Sequence, residues 1–181
     1  MILEIGSYEG ASTCYLINSL APTNDIEIHC IDTWEGGVEL KTDGTAEADM
    51  HDVEKRFLHN TKISTDRCVD RVDLQIHKGY SDIELSKLLV GGKQNYFDFI
   101  YVDGSHQAPD VLCDSTLSFR LLRKGGIMVF DDYLWSENLA YGIDPIRCPK
   151  PAIDAFTTIY CRKLRILSAP LYQLFVQKVS D

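Results

Sequence analysis

The sequence lacks an excess of basic residues. Its 181 residues carry 18 Lys and Arg against 27 Asp and Glu, which gives a formal net charge of −9 and a pI near 5.0. Binding to duplex nucleic acid depends on clustered Lys and Arg that neutralise phosphates. The composition therefore argues against a nucleic-acid partner and favours a small molecule or a protein.

Long apolar runs and paired metal-ligating cysteines are also missing. No run approaches the ~20 residues that a membrane span needs, and the chain opens on a core strand rather than on a secretory signal. The six cysteines are scattered, without a C-x-x-C pair or matching histidines, so neither zinc nor a disulfide framework is expected. We expect a cytoplasmic protein with reduced thiols and no membrane partner.

Apolar runs alternate with helix-length segments along the whole chain, as expected of a parallel sheet with helices on both faces. The predicted strands are Met1–Ile5, Ile26–Ile31, Val72–His77, Phe97–Val102, Ile127–Phe130, Leu164–Ser168 and Leu171–Lys178. The predicted helices are Ala11–Leu20, Glu47–Leu58, Ser81–Leu89, Ala108–Leu122 and Ala152–Arg162, with Gly91–Gly92 and Gly125–Gly126 as C-terminal stops. The last two strands are joined by a turn too short for a crossover, so they must be antiparallel. We predict an α/β fold and a single domain over residues 1–181.

The first ten residues combine a strand, a glycine turn and the start of a helix. Gly6, Ser7 and Gly10 form the turn, where the backbone and the helix N-terminus can approach a ligand. Tyr8 occupies the position where a dinucleotide fingerprint needs glycine, which disfavours NAD. The E-x-G-x-x-x-G pattern that begins at Glu4 resembles motif I of the class I S-adenosylmethionine (SAM) methyltransferases, and this resemblance implies SAM as the cofactor.

Ligands of open parallel sheets bind beyond the carboxyl ends of the strands. Asp32 ends the second strand, where an acid can accept both ribose hydroxyls of a nucleoside. The alternative is a solvated loop carboxylate without a ligand. Trp34 lies two residues further on; it either packs near the adenine, as an aromatic residue at this position does in similar proteins, or is exposed or packed under a lid.

The residues after the third strand resemble the third motif of the metal-dependent O-methyltransferases. In that motif a serine and its neighbour hold the adenine edge, so the resemblance assigns this role to Gly79, Ser81 and Asp82. Ser81 is also a candidate helix cap, because Glu84 stands at the capping-box position.

Three carboxylates follow the fourth and fifth strands, namely Asp103, Asp131 and Asp132. Oxygen-rich clusters of this kind suit Mg²⁺ or a similar hard cation. His106 follows Asp103 by three residues, where catechol-type O-methyltransferases carry a basic residue; it is the expected catalytic base, with Asp103 as second candidate. Three alternatives stay open: the Asp131–Asp132 pair caps the next loop, Asp103 only orients the cofactor or substrate, or His106 is an ordinary solvated histidine.

The resemblance continues through Tyr133–Trp135, Pro149–Phe156 and Tyr172–Lys178, which are similar to the macrolide-sugar O-methyltransferases of the Methyltransf_24 group. It implies a Rossmann-like sheet and SAM-dependent O-methylation of a small hydroxylated molecule, such as a sugar or a vicinal diol, assisted by a divalent cation. The alternatives are a SAM-binding protein without activity and a metal-independent methyltransferase that uses His106 as base.

Two further expectations concern what covers the ligand. Proteins of this type normally have helices before the first strand, whereas this chain begins inside motif I. We therefore expect exposed apolar surface, and either self-association into a homo-oligomer or weak SAM binding by the monomer. The insertion Trp34–Asn60 carries Met50, Val53 and Phe57 on one helical face. It is either a lid over the ligand or a packed surface helix.

Overall fold

Seven strands form one sheet in the computed structural model, which describes residues 1–38, 49–68, 71–137, 139–170 and 172–181. The strands are β1 (Ile2–Ile5), β2 (Ile26–Asp32), β3 (Val72–Lys78), β4 (Phe97–Val102), β5 (Leu122–Phe130), β6 (Leu164–Leu167) and β7 (Leu174–Lys178). Their order is β3-β2-β1-β4-β5-β7-β6. Strands β1 to β5 are parallel, and β7 runs antiparallel to both β5 and β6. The predicted α/β fold and its antiparallel C-terminal hairpin are confirmed.

Helices cover both faces of this sheet, as the alternating pattern predicts. The helices within the described ranges are α1 (Ala11–Leu20), α2 (Met50–Asp66), α3 (Ser81–Val90), α4 (Ala108–Leu121) and α5 (Pro149–Ile159). One core contains Ile17 of α1 and Phe57 of α2, and the other contains residues of α3, α4 and α5, among them Leu85, Phe119 and Phe156. None of these helices combines the length and apolar composition that crossing a bilayer requires.

The glycine pair at 125–126 was predicted to end a helix, and this prediction is wrong. Helix α4 ends at Leu121, and β5 begins at once, five residues before the predicted Ile127. Gly125 has a φ of +83° inside the strand, where the pairing register with β4 shifts. A bulge and a helix stop both use a glycine with positive φ, and strand pairing makes this one a bulge.

Other element boundaries differ by a few residues. Helix α5 begins at Pro149 rather than Ala152, because prolines in a first helical turn cost no hydrogen bond. It ends at Ile159 rather than Arg162. Strand β7 begins at Leu174, and its predicted first residue lies outside the described part of the chain.

The insertion after β2 is described only at its two ends, since residues 39–48 lie outside the described ranges and include the predicted helix start. Helix α2 is capped by Asp49, which accepts bonds from two backbone N–H groups, and it extends eight residues beyond the predicted end. Val53 and Phe57 are fully buried against α1 and the sheet, with Met50 partly buried beside them. The predicted apolar face of this helix is confirmed.

Candidate active site

The loops that follow β1 to β5 lie side by side at one edge of the sheet. Backbone hydrogen bonds continue the parallel pairing past the strand ends: Gly6 to Ile31, Gly79 to Asp32, Asp103 to Ile5 and Asp131 to Val102, all between 2.8 and 3.0 Å. These bonds bring together the loop residues that the sequence places at successive strand ends. Their position agrees with the rule that ligands bind beyond the carboxyl ends of parallel strands.

The glycine turn after β1 is shaped by close contacts inside the protein. Gly6 has a φ of +84°, and a Cβ there would lie 1.9 Å from the backbone oxygen of Asp103. Gly10 has a φ of +82°, and a Cβ there would lie 3.0 Å from the ring of Phe57. The two glycines therefore let the turn pack against the loop after β4 and against α2.

Glu4 lies beneath this turn with its side chain fully buried. Its Oε2 accepts hydrogen bonds from Ser7 Oγ at 2.8 Å and from Thr13 Oγ1, and Cys30 Sγ approaches it at 3.6 Å. Its Oε1 is buried with no hydrogen-bond partner among the described residues. Burial raises the pKa of Glu4, and the donors around it oppose that rise. The sequence motif indicates Glu4 and Ser7, whereas Thr13 and Cys30 are contributed by the start of α1 and by β2.

Asp32 joins the glycine turn to the loop after β2. Its Oδ2 accepts from the backbone N–H groups of Ser7 at 2.9 Å and Tyr8 at 2.8 Å, and its Oδ1 accepts from the N–H of Trp34 at 2.7 Å. A carboxylate offers about four acceptor positions, so about one is left for a ligand. The structure therefore gives Asp32 less room for two ribose hydroxyls than the sequence prediction assumes.

Trp34 is buried, with 5% of its surface exposed. Its indole packs on Phe57 at 4.9 Å between ring centroids and donates from Nε1 to the Tyr8 backbone oxygen at 2.9 Å. Of the two interpretations of this residue, the structure favours packing against the protein, because the indole lies inside the core beneath α2.

The segment after β3 reaches the same edge, but the capping-box prediction for it is wrong. Tyr80, and not Ser81, is the N-cap of α3, and no side chain caps it. The Ser81 hydroxyl instead bonds to Asp114 of α4, and Glu84 pairs with Lys87 at 2.7 Å. The helix itself begins at Ser81, as predicted, because the backbone of Tyr80 is still extended.

Asp82 and Asp114 complete this part of the site. Asp82 is exposed and accepts from the N–H of Ile83. Asp114 is buried, its Oδ1 has no partner among the described residues, and burial raises its pKa to about 7. The sequence prediction missed Asp114. The available signal was its position one turn beyond Val111 on the apolar face of the predicted helix.

The three predicted metal ligands do come together. Asp103, Asp131 and Asp132 each present an oxygen within 4.8 Å of the others. They line a small open cleft, which α5 borders with Pro149 and Ile153. Burial, reinforced by the charges of Asp131 and Asp132, raises the pKa of Asp103 to about 8. Such a cluster is stabilised by a bound proton or by a cation.

His106 lines the same cleft and contacts one of the three acids. Its Nε2 lies 3.0 Å from Asp132 Oδ2, and this contact lowers the pKa of Asp132. The indole of Trp135 stacks on the imidazole with ring centroids 4.2 Å apart. His106 is therefore held between a carboxylate and an aromatic ring rather than freely solvated.

The structure does not support the interpretation that Asp131 and Asp132 cap the loop after β5. Within the described residues, neither carboxylate accepts from a backbone N–H of the following loop. Asp131 instead accepts from Tyr101 and Gln173. Both residues line the cleft, and carboxylate oxygens are the ligands that Mg²⁺ and similar hard cations prefer.

Two curated relatives are each 27% identical to this chain. An uncharacterized protein of Acanthamoeba polyphaga mimivirus aligns over 149 residues, which cover 80% of this chain and 58% of that protein. Probable caffeoyl-CoA O-methyltransferase 3 of Dictyostelium discoideum aligns over 134 residues, which cover 74% of this chain and 43% of that protein. The chain spans about half the length of these relatives.

The fold of this chain is similar to those of solved methyltransferase structures. The O-methyltransferase TomG of Streptomyces achromogenes, solved in complex with SAM, superimposes with a TM-score of 0.62 at 16% identity, covering 99% of this chain and 73% of that one. The sequence model of the Methyltransf_24 methyltransferase domain matches residues 3–133. This match covers well over half of the chain and includes both the glycine turn and the three acids. The chain therefore belongs to the Methyltransf_24 family of methyltransferase domains and has the class I methyltransferase fold.

Proposed function

We propose that this chain is a SAM-dependent O-methyltransferase that acts on a small hydroxylated molecule, such as a sugar or a vicinal diol, with the help of a divalent cation. The observation that carries the proposal is the convergence of Asp103, Asp131 and Asp132 on a cleft that also contains His106. The similarity to a probable caffeoyl-CoA O-methyltransferase supports transfer to oxygen, and the fold of the SAM-bound relative supports the cofactor.

The chemistry of the glycine turn fits SAM. No side chain caps the start of α1, and its first turn carries no acidic residue, so its unpaired N–H groups suit the carboxylate of the methionine part of SAM. Asp32 retains about one acceptor position for a ribose hydroxyl. Gly79 and Ser81 lie at the next strand end, where the adenine would bind.

The chemistry of the acid cluster fits a hard divalent cation. Asp103, Asp131 and Asp132 would hold it through carboxylate oxygens, and its charge would relieve the repulsion that, together with burial as the larger cause, raises the pKa of Asp103. When bound, such a cation supplies Lewis-acid polarisation that lowers the pKa of an acceptor hydroxyl.

The residues of the chain itself would bind and orient the acceptor and take its proton. His106 accepts the proton of the acceptor hydroxyl, and Asp132, 3.0 Å from Nε2, stabilises the imidazolium that results. Trp135 keeps the ring in position by stacking on it. The acceptor oxygen then forms a bond to the methyl carbon as the methyl–sulfur bond breaks, and S-adenosylhomocysteine (SAH) leaves. Alignment of oxygen, carbon and sulfur is the main contribution of the protein.

Calorimetry on the whole chain tests whether it binds SAM, and removal of divalent cations with a chelator tests whether methyl transfer requires a metal. SAM and SAH should bind and NAD should not; the reverse preference would overturn the proposal. Asp131→Asn and Asp132→Asn should each weaken Mg²⁺ binding, whereas Asp154→Asn, which removes a carboxylate bonded to Tyr133 and Lys150, serves as the control.

The same experiment separates the alternative functions. Chelation should abolish methyl transfer to a hydroxylated acceptor while SAM affinity stays nearly unchanged. Activity that survives exhaustive chelation and is lost in His106→Gln would favour the metal-independent mechanism. SAM binding without turnover of any hydroxylated acceptor would favour a binding protein.

A further inference from the structure

One of the three acids, Asp131, is surrounded by a small hydrogen-bonded network. Tyr101 donates from its hydroxyl to Oδ2 at 2.6 Å, and Gln173 donates from Nε2 to Oδ1 at 2.9 Å. The same Gln173 nitrogen lies 3.3 Å from the Tyr101 hydroxyl. Both oxygens of Asp131 therefore have a fixed donor, and the two donors also contact each other.

The network is anchored by paired strands: Tyr101 lies within β4, and Asp131 and Gln173 directly adjoin the paired ends of β5 and β7. Tyr101 lies in β4 opposite Val129 of β5, two residues before Asp131. Gln173 precedes Leu174, which pairs with Phe130 in the antiparallel register of β5 and β7. The sheet therefore brings the three residues together, and the C-terminal hairpin contributes a side chain to the acid cluster.

Both groups that donate to Asp131, the Tyr101 hydroxyl and the Gln173 amide, are uncharged. A Lys or Arg in the same place would neutralise Asp131 and compete with a cation for its oxygens. A phenol and an amide are neutral, so they orient the carboxylate without cancelling its charge. Groups of this kind behind a metal ligand typically set its orientation and affinity.

We propose that Tyr101 and Gln173 are positioning residues that hold Asp131 ready to bind a divalent cation. This inference rests on the proposed function, because it assigns Asp131 as a cation ligand. It goes further in assigning a role to the C-terminal hairpin, which lies beyond the residues matched by the family model. Neither residue touches the reacting atoms, and each acts through Asp131.

The test is the affinity of the whole chain for Mn²⁺ alone, measured by calorimetry and by the EPR signal of free Mn²⁺. Tyr101→Phe and Gln173→Leu should each weaken Mn²⁺ binding about tenfold or more, in the range that loss of such partners typically costs. SAH affinity should change less than twofold in both variants, because a merely structural defect at the sheet edge would lower both affinities together.

Two matched controls come from the same chain. Tyr96→Phe removes a phenol that bonds to Glu27 at 2.5 Å in a different part of the sheet. Gln177→Leu removes an amide from the same strand as Leu174, where it donates to the Gly125 backbone oxygen at 3.2 Å. Neither control should alter Mn²⁺ affinity.

The outcomes are distinguishable. If the unaltered chain takes up no Mn²⁺, the metal part of the proposed function fails and this inference falls with it. If the unaltered chain binds Mn²⁺ and both variants bind it equally well, only the positioning role is overturned. If Gln173→Leu fails to fold, the result for Tyr101→Phe decides, because that substitution removes a single oxygen.

Discussion

The effect of burial on the pKa of an acid in this fold can be tested at Asp114. Its side chain is 1% exposed, and its Oδ1 has no partner among the described residues. Desolvation raises its pKa from 3.8 to about 7, the charges of Asp110 and Asp82 add to this rise, and the bond from Ser81 opposes it. We predict that Asp114→Asn stabilises the protein above neutral pH.

The sign and the size of the effect follow from linkage. As pH rises above 3.8, Asp114 ionises in the unfolded chain but stays protonated in the folded chain, so the free energy of unfolding falls until the pH passes about 7. A difference of about three pKa units corresponds to roughly 4 kcal/mol at the plateau. Asn has nearly the same shape, stays neutral and keeps an acceptor for the Ser81 hydroxyl.

The assay is urea unfolding of the unaltered chain and of Asp114→Asn between pH 5 and pH 8. The stability advantage of the variant should grow by about 3 kcal/mol over this range. Asp25→Asn, which removes an exposed carboxylate, serves as the control for a change in net charge. Parallel stability profiles for Asp114→Asn and the unaltered chain would refute the reasoning, because they would mean that this carboxyl ionises as readily in the fold as outside it.

Three further predictions concern the turn and the cleft. Gly6→Val should abolish SAH binding in calorimetry, because its Cβ would meet the Asp103 backbone oxygen, whereas Gly92→Val, with nearly the same φ and nothing within 4 Å, should bind normally. Mn²⁺ affinity should rise with pH until about pH 8, because the cation must displace the proton held by Asp103; an affinity independent of pH would contradict this. Thr13→Val should lower the free energy of unfolding by about 1–3 kcal/mol in urea, since it removes a donor from buried Glu4; unchanged stability would argue against that role.

The fold was predictable because its signals are local. The strand β4 has the bounds that its apolar run predicts, Phe97–Val102, and the helix face of Val53 and Phe57 is buried as its spacing requires. The structural role of the glycines at 125 and 126 could not be predicted from local signals. A glycine with positive φ serves a helix end and a strand bulge equally well, and only the pairing of β5 with β4 distinguishes them.

The acids of the cleft were predictable from topology alone, since parallel strands deliver their C-terminal residues to one edge. Their partners were not. Gln173 reaches Asp131 only because β7 inserts beside β5 in a particular antiparallel register, and the sequence pattern does not specify that neighbour. Asp114 was missed for a related reason, because its burial depends on how α4 packs against the start of α3.

The contact between Gly6 and Asp103 couples the two halves of the site. The backbone oxygen of Asp103 packs against Gly6 in the turn that would hold SAM, and the Asp103 N–H donates to the Ile5 oxygen at 2.8 Å. The side chain of the same residue faces Asp131 and Asp132 across the cleft. Any side chain at position 6 must therefore displace the loop that carries a proposed metal ligand. Gly6→Val should weaken Mn²⁺ binding as well as SAH binding, whereas Asp131→Asn should weaken only Mn²⁺ binding, because Asp131 is tied to β7 and not to the glycine turn.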